Sequence, residues 1–336
     1  MPQIRPRVFV TQPIASSALE RLRAVADVDV NPESSRILAK VKLCKALPKY
    51  DVLFALLHDV IDRDVLEANP KLKCVASMAI TPDNIDVAEA TARGIAVTVI
   101  PAVVTEATAD LAMGLMIAVG RRIVQGDRLL RSGAFPGSQS NHLAGVTLSG
   151  KVLGLVGCGR IGQAVARRAQ GFGMRVIYSD PRRMSPVEEQ KLGLTCVNLE
   201  ELLGQSDFVS LHPALNNETR RMIGVRQLAL MKKTAFLINT SRGTIVDEAA
   251  LAAALADGNI AGAGLDVYEN EPRIEPALLR MENVVLTPHL GSAVAELREA
   301  MAHVVVDNIL AILDGRKPPN CINPEVLATT LSPAPS

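Results

Sequence analysis

The stretch Gly157-Cys158-Gly159-Arg160-Ile161-Gly162 decides the fold of this chain, because it stands between two different hydrophobic patterns. The apolar run 152–156 before it predicts a buried strand, and the amphipathic run 163–172 after it predicts a helix. In such a unit the glycines let backbone N–H groups approach phosphates, and the helix N-terminus adds unpaired donors. A second strand-like run, 175–178, ends at Ser179-Asp180, where the fingerprint calls for an acid facing the ribose hydroxyls. The stretch therefore predicts a nicotinamide-dinucleotide site.

The length and composition of the chain limit the classes of protein to which it can belong. The chain has 336 residues, of which 48% are hydrophobic and 21% charged, with a formal net charge of +1. It is long enough for two domains, and its charge balance gives no basic surface for nucleic acid. No eighteen-residue apolar run or cleavable signal pattern is seen, so we expect a cytoplasmic protein with no membrane contact. Five scattered cysteines without CxxC spacing predict reduced thiols and no metal site. Cys158 is interpreted as a small residue filling a tight turn, with a redox role as the alternative.

Strand and helix patterns alternate on both sides of the glycine motif. Before it, strand patterns lie at 5–10, 51–56, 74–78 and 95–99, with helical patterns at 15–26, 62–69 and 87–93. After it, strand patterns lie at 208–211, 235–239 and 284–286, and a long helical pattern covers 293–313. Such alternation predicts βαβ units and parallel sheets. We therefore predict an α/β protein with two doubly wound parallel-sheet domains, a Rossmann cofactor domain inserted in a flavodoxin-like substrate domain.

The predicted domain boundaries follow the order of these elements. A discontinuous substrate-binding domain is expected at 1–101 and 292–325, because the last long helix carries the chain back to the first sheet. The NAD-binding domain is expected at 102–291, and the Pro- and Ser-rich tail at 326–336 is expected to be disordered. One long apolar helix is predicted from Thr105 to Arg131. A helix that is apolar on most faces must be buried, either in a core or at a subunit interface.

Three polar side chains follow strands of the second half of the chain or close them. Arg242 follows the strand pattern at 235–239, Glu271 precedes Pro272, and His289 follows the pattern at 284–286. The carboxyl ends of parallel strands meet at one edge, where open α/β sheets bind ligands. Together they supply an anion clamp, a carboxylate and an acid–base group, a set that suits hydride transfer at a hydroxyl carbon. Taken singly, each has an ordinary interpretation: a surface ion pair, an acid at a helix start, and a histidine beside a turn.

The chain resembles the D-isomer-specific 2-hydroxyacid dehydrogenases along nearly its whole length. The segments that carry the resemblance are Asp83-Asn84-Ile85-Asp86, the glycine motif, Asn239-Thr240-Ser241-Arg242-Gly243, the segment 266–272, and Thr287-Pro288-His289-Leu290-Gly291-Ser292. The resemblance implies that Arg242 binds the substrate carboxylate and carbonyl. It also implies that His289 donates the proton in reduction and that Glu271 hydrogen-bonds His289 and favours its charged form. Similar proteins are homodimers joined largely through their cofactor domains, with the helix from Thr105 contributing.

Motif and resemblance together give a set of expected cofactor-binding residues. They are Thr105, Gly157, Gly159, Arg160, Ile161, Gly162, Asp180, Pro181, Arg182, His212, Pro213, Thr240, Ser241 and Asp266. The resemblance implies that His212-Pro213 lines the adenosine side and that Asp266 faces the nicotinamide carboxamide. Asp180 favours NAD because it accepts from both ribose hydroxyls, whereas Arg182 and Arg183 attract a 2′-phosphate. NAD is the expected cofactor, and NADP stays open.

One segment departs from the family pattern. Before Asp83 the family usually has a glycine-containing loop whose backbone N–H groups receive the substrate carboxylate, whereas here Thr81 stands where glycine is common. Ile80 and Thr81 are still expected to bind substrate, because a peptide N–H needs no side chain. His58 is expected nearby, and both substrate contact and a solvent-facing position stay open for it.

The expected reaction is reduction of small 2-oxoacids to D-2-hydroxyacids by NADH or NADPH. Glyoxylate and hydroxypyruvate are the leading substrates, with 2-ketogluconate-like acids behind them. Two alternatives stay open: phosphite dehydrogenase, which is similar at 131–133 and around Asp83, and a co-repressor that senses cofactor. By resemblance, phosphite dehydrogenase has a lysine at the position of Ile80. A co-repressor does not need Arg242, Glu271 and His289 together, so their presence counts against it.

Overall fold

The computed structural model describes residues 5–327, which divide into two compact units. One unit contains the residues up to Val103 and those from Val294 onward, and the other contains Val104–Ala293. The sequence places these boundaries at 101/102 and 291/292. Of the expected tail at 326–336, Val326 and Leu327 are buried, and residues 328–336 lie outside the described residues.

The described residues form twelve strands and twelve α-helices. The strands are β1 (Arg7–Val10), β2 (Asp27–Val30), β3 (Val52–Ala55), β4 (Cys74–Ser77), β5 (Ala96–Thr98), β6 (Val152–Val156), β7 (Arg175–Ser179), β8 (Leu194–Cys196), β9 (Phe208–Leu211), β10 (Phe236–Asn239), β11 (Gly262–Leu265) and β12 (Val284–Leu286). The helices are α1 (Ser16–Val25), α2 (Lys40–Ala46), α3 (Arg63–Glu67), α4 (Val87–Ala92), α5 (Thr105–Gly120), α6 (Ile123–Arg131), α7 (Arg160–Gly171), α8 (Pro186–Leu192), α9 (Leu199–Gln205), α10 (Val225–Leu230), α11 (Glu248–Ala256) and α12 (Ala295–Leu313).

The first unit contains a parallel five-stranded sheet with the strand order β2-β1-β3-β4-β5. This order is that of flavodoxin-like folds, as predicted. Every residue of β3 and β4 is buried, which explains why these strands are continuous apolar runs in the sequence. The edge strand β2 alternates between exposed and half-buried residues and so gave no such run.

The chain returns to the first unit through α12, which packs against α1 and β4. Beyond the helix, Asn323 completes the edge of the sheet. Its side-chain oxygen accepts from the backbone N–H of Val97 at 2.7 Å, and its amide donates to the carbonyl of Ile95 at 2.9 Å. The buried amide of Asn323 thus joins the C-terminal segment to β5.

The second unit contains a parallel seven-stranded sheet with the order β12-β11-β10-β9-β6-β7-β8. Counted from β6 as the first strand, this is the dinucleotide-binding order 3-2-1-4-5-6 with one strand added. The strand order reverses between β6 and β9, so the glycine turn after β6 and the His212-Pro213 segment after β9 meet at the point where such sheets bind their ligands.

The single helix predicted from Thr105 to Arg131 is wrong, because the structure divides it into α5 and α6. Arg122 adopts a left-handed conformation (φ 54°), which ends the helical hydrogen-bond pattern. The carbonyl of Gly120 instead accepts from the backbone N–H of Val146 at 2.8 Å. α5 is buried on one side against α7 and the strands β10 and β11, so that face belongs to the core of the unit. No helix within residues 5–327 is both long and apolar enough to cross a membrane.

Candidate active site

The three glycines of the turn after β6 have different surroundings. Gly157 has φ +83°, and a Cβ there would lie 2.7 Å from the backbone nitrogen of Pro213. A Cβ on Gly162 would lie 2.5 Å from the carbonyl oxygen of Gly157, so only glycine lets α7 start this close to the turn. Nothing lies within 4 Å of a Cβ built on Gly159. The backbone is therefore open at Gly159, where a pyrophosphate approaches in sites of this kind.

Asp180 organises the end of β7 beside this turn. Its carboxylate accepts from the backbone N–H of Cys158 and from that of Arg182, both at 2.8 Å. Arg183 pairs with Glu189 at 2.9 Å, whereas the guanidinium of Arg182 forms no ion pair within the described chain. Asp180 is thus fixed to the glycine turn, and the charge of Arg183 is already paired with that of Glu189.

Two buried polar atoms after β9 and β10 lack a hydrogen-bond partner among residues 5–327, namely His212 Nδ1 and Thr240 Oγ1. His212 borders the glycine turn, since a Cβ on Gly157 would lie 2.8 Å from its carbonyl carbon. Its Nε2 lies 2.9 Å from Ser210 Oγ, and burial lowers the pKa of His212 to about 4, so the imidazole is neutral at physiological pH. A bound cofactor satisfies unpartnered buried groups at this edge of a parallel sheet, so the residues present fit a nicotinamide dinucleotide.

Cys158 lies inside the turn but is not poised for redox chemistry. Burial raises the pKa of its thiol to about 12, and the nearby Asp180 carboxylate acts in the same direction. Because the thiolate is the reactive form, this cysteine is inert at neutral pH. The structure supports its interpretation as a small residue that fills the turn.

Glu271 and His289 lie side by side in the second unit. Nδ1 of His289 lies 2.9 Å from Oε2 of Glu271, and both side chains are mostly buried, with 21% and 17% of their surface exposed. The other oxygen of Glu271 accepts from the backbone N–H of Tyr268 at 2.9 Å. Both carboxylate oxygens of Glu271 are therefore held, and Nδ1 of His289 faces one of them.

The loop that carries His289 is gathered around Asp266, of which 1% is exposed. Oδ1 accepts from Thr287 Oγ1 and from the backbone N–H of Leu290, both at 2.6 Å, and Oδ2 accepts from the N–H of Gly291 at 2.9 Å. His289 itself has φ +54°, a conformation unfavourable for a side chain of this size, and these bonds over-determine it. Burial raises the pKa of Asp266, opposed by the hydrogen bond from Thr287. Its expected contact with the nicotinamide stays a prediction.

Arg242 follows β10 after a turn that Asn239 organises. The amide oxygen of Asn239 accepts from the N–H and Oγ of Ser241, and its amide nitrogen donates to the carbonyl of Arg242 at 3.0 Å. Gly243 then packs directly on Tyr268, because a Cβ at Gly243 would lie 1.8 Å from the carbonyl carbon of Tyr268. The segment carrying Arg242 is therefore in contact with the segment carrying Glu271.

The remaining predicted residues lie at strand ends and a helix start. In the first unit, Ile80 and Thr81 follow β4, and Thr81 Oγ1 donates to Asp83 Oδ2 at 2.9 Å. His58 is half-buried in the loop after β3. In the second unit, Thr105 begins α5, and Arg160 and Ile161 begin α7. Pro181 is exposed after β7.

Sequence reasoning missed the residues that hold these loops in place. Glu248 is buried at the start of α11, and its two carboxylate oxygens accept from the backbone N–H groups of Glu269 and Glu275. In the sequence, Asp247-Glu248 has the pattern of an ordinary helix start. Tyr268 was also missed; its hydroxyl donates to the carbonyl of Thr287 at 2.8 Å.

Both the sequence and the fold of this chain have known relatives. Residues 113–291 match the model of the D-isomer specific 2-hydroxyacid dehydrogenase NAD-binding domain. Glyoxylate reductase from Thermococcus litoralis is 46% identical over 97% of this chain and 99% of its own length, and glyoxylate reductase from Korarchaeum cryptofilum is 49% identical over 96% and 98%. The solved structure of the NADPH-dependent glyoxylate/hydroxypyruvate reductase from Sinorhizobium meliloti superimposes with a TM-score of 0.78 at 34% identity, covering 95% of this chain and 98% of that one.

Proposed function

This chain belongs to the D-isomer-specific 2-hydroxyacid dehydrogenase family, and we propose that it reduces glyoxylate and hydroxypyruvate with NADH or NADPH. The observation that carries the proposal is the 2.9 Å contact between His289 and Glu271, in the same unit as the glycine turn and Arg242. The reductases similar to it support the substrate class. They do not favour phosphite oxidation or a co-repressor.

The proposed roles follow from the chemistry of each group. A reduced nicotinamide, when bound at the glycine turn, would supply the hydride for the carbonyl carbon. Arg242 binds the substrate carboxylate and polarises the carbonyl, since a guanidinium matches such oxygens bidentately. His289, as imidazolium, donates the Nε2 proton to the carbonyl oxygen, and Glu271 stabilises that charged form. The assignment of Ile80 and Thr81 to substrate binding remains a prediction.

For the cofactor we propose a preference for NADH. Asp180 is fixed to the glycine turn at the strand end, where its charge repels a 2′-phosphate, and Arg183 is neutralised by Glu189. Arg182 alone is left to attract the phosphate. A comparison of kcat/KM with the two cofactors tests this directly: we expect the higher value with NADH, and a substantially higher value with NADPH would overturn the preference.

An initial-rate screen tests the proposed reaction. Purified protein is supplied with NADH or NADPH and glyoxylate or hydroxypyruvate, and separately with NAD and phosphite. Ile80 has no charge, so a phosphite dianion would meet the guanidinium of Arg242 without the second cation that a lysine offers. A monocarboxylate carries one negative charge and needs only the one cation. We expect NADH consumption with the oxoacids and negligible NADH formation with phosphite. Phosphite oxidation faster than any oxoacid reduction would overturn the proposal.

We also propose that the protein is a cytoplasmic homodimer. Support for a dimer comes from large apolar side chains on and after α6 that stand in solvent: Ile123, Leu130 and Phe135 are 51%, 57% and 75% exposed. Ile123 and Leu130 are seven residues apart and so lie on the same face of α6, and exposed apolar faces mark protein–protein contacts. Support for the cytoplasm comes from five free thiols, since disulfides persist in oxidising compartments.

Light scattering on a sizing column tests the dimer. We expect twice the chain mass for the wild type and a shift toward the monomer for Leu130→Glu, because the charge has to be desolvated in the contact. Val187→Glu, on α8 and 73% exposed, is the matched control and should leave the mass unchanged. A wild type that elutes at the mass of one chain at micromolar concentration would contradict the dimer.

A further inference from the structure

A buried carboxylate outside the proposed chemistry closes the loop that carries Glu271. Glu248 is 5% exposed at the first position of α11. Oε1 accepts from the backbone N–H of Glu269 at 2.6 Å, and Oε2 accepts from the N–H of Glu275 at 3.3 Å. One side chain therefore binds both ends of the segment 269–275.

Glu271 lies between these two anchored ends. Inside the loop, Arg273 N–H donates to the carbonyl of Asn270 at 2.9 Å, so the chain turns back on itself around Glu271. The carboxylate of Glu271 then reaches the N–H of Tyr268 and the imidazole of His289. The position of Glu271 thus depends on where the ends of the loop are fixed.

The charges around Glu248 show that the position is not simply a favourable place for an acid. Burial raises the pKa of Glu248, and the neighbouring carboxylates of Glu269 and Glu275 act in the same direction. The two backbone donors act in the opposite direction. Arg221 pairs with Glu269 at 2.6 Å, so the first end of the loop has a second attachment. Glu248 is thus desolvated beside two like charges and accepts hydrogen bonds from both ends of the loop, which indicates that it serves to hold the loop.

We propose that Glu248 is a positioning residue for the reaction, which holds Glu271 against His289 by closing the 269–275 loop. This inference rests on the proposed function of the Glu271–His289 pair. Glu248 touches neither substrate nor cofactor in this scheme and acts only through Glu271.

Glu248→Gln tests the role with little change in shape. A carboxylate accepts at both oxygens, whereas an amide accepts at its oxygen only and donates through its nitrogen. In the variant, the amide NH2 therefore faces the backbone N–H of Glu269 or Glu275, and that hydrogen bond is lost. We expect kcat to fall roughly 10- to 100-fold, as for a small misplacement of a reacting group. We expect the descending limb of the oxoacid-reduction rate to move to lower pH, since the imidazolium loses its nearby carboxylate. NADH affinity should stay within about twofold, because the glycine turn is untouched.

Two further variants separate positioning from charge and from folding. Glu275→Gln removes a negative charge from the same loop but keeps the backbone N–H that Glu248 binds, so we expect a wild-type pH profile. Glu248→Asp keeps the charge but is one methylene too short to span both donors, so we expect it to behave like Glu248→Gln. If Glu248→Gln does not fold, Glu248→Asp carries the same test. If Glu248 acts through Glu271, adding Glu248→Gln to the Glu271→Gln variant should not shift the pH dependence of the reduction rate any further.

A readout without substrate keeps this inference separate from the proposed function. With ¹³C-labelled histidine, the ring signal of His289 can be followed by NMR among the five histidines of the chain. We expect the midpoint of its titration to move to lower pH in Glu248→Gln and in Glu248→Asp. An unchanged His289 titration together with an unchanged pH profile in both variants would overturn the positioning role. A wild type that reduces no oxoacid would instead overturn the proposed function, with the His289 titration still able to decide on Glu248.

Discussion

The side chains assigned to chemistry in the second unit owe their placement to the residues around them. Asn239 orders the turn before Arg242, the N–H of Tyr268 holds one oxygen of Glu271, and Asp266 gathers the loop of His289. Arg242 and His289 were singled out in the sequence because each follows a strand pattern, and Glu271 because it lies in the 266–272 segment of the family pattern. Their supporting hydrogen bonds were not predictable, because a buried acid such as Asp266 or Glu248 has the same sequence pattern as a strand end or a helix cap.

Arg242→Ala tests the substrate clamp. Loss of a bidentate charge-assisted contact costs about 2–4 kcal/mol, so kcat/KM for glyoxylate should fall roughly 30- to 1000-fold. NADH affinity, measured by fluorescence titration, should stay within a few fold, because the guanidinium is assigned to substrate. Arg226→Ala is the matched control, since it breaks an exposed ion pair with Glu200 on the surface. A kcat/KM near that of the wild type in Arg242→Ala would remove Arg242 from the site.

Glu271→Gln tests the coupling of the pair. In the proposed reaction only the imidazolium of His289 donates a proton, so we expect the reduction rate to fall as pH rises. A carboxylate 2.9 Å from Nδ1 stabilises the charged ring and extends activity to higher pH. In the variant, the descending limb of kcat/KM against pH should move to lower pH. If the limb keeps its midpoint while chemistry limits the rate, the two residues are not coupled as proposed.

At the scale of elements, strands with β-branched and aromatic residues were predictable, and strands with a different composition were not. β11 (Gly262–Leu265) reads Gly-Ala-Gly-Leu and has no intrinsic strand propensity. It is a strand because it pairs with β10 on one side and β12 on the other. Glycine is needed at 264 because a Cβ there would lie 3.0 Å from the side chain of Leu115. The break between α5 and α6 has a similar origin, since the bond from Val146 to Gly120 comes from a distant part of the sequence. Tertiary contacts decide both cases.

The loop after β3 in the first unit gives a prediction about stability. Asp59 is buried and accepts from Thr11 Oγ1 and from the N–H of Leu56, and burial nevertheless raises its pKa. The folded state therefore binds the proton more tightly than the unfolded chain does. The contribution of Asp59 to stability is then highest below its ordinary pKa of 3.8 and declines as pH rises through the raised value.

Asp59→Asn removes this dependence. An amide oxygen can accept both hydrogen bonds, which share Oδ2 in the wild type, and it carries no charge to desolvate. The free energy of unfolding of the variant, minus that of the wild type, should therefore increase as pH rises from about 4 to 7. Urea titrations at several pH values measure this difference. A difference that stays flat or decreases with pH would show that the folded state does not favour protonated Asp59.

For the whole molecule, the sequence predicted the family, the α/β class and the two parallel sheets, and the comparisons and the strand orders confirm them. These properties follow from motifs and from hydrophobic runs, which are local. Substrate choice within the family does not follow from such local patterns, because it depends on the shape of the substrate pocket, to which Ile80 and Thr81 are predicted to contribute. The reductases similar to this chain, rather than its own motifs, support glyoxylate and hydroxypyruvate.

The handedness of the product shows whether Arg242 and His289 orient the substrate as proposed. Hydroxypyruvate reduced by the wild-type protein with NADH gives glycerate, whose configuration is read on a chiral column. Arg242 and His289 are proposed to fix the carboxylate and the carbonyl oxygen, so the hydride can reach only one face of the carbonyl. We expect D-glycerate formed in step with NADH consumption, and roughly 30- to 1000-fold slower formation with Arg242→Ala at matched enzyme and subsaturating substrate concentration. L-glycerate, a racemic product, or no reduction of hydroxypyruvate or glyoxylate with either cofactor would contradict the proposal.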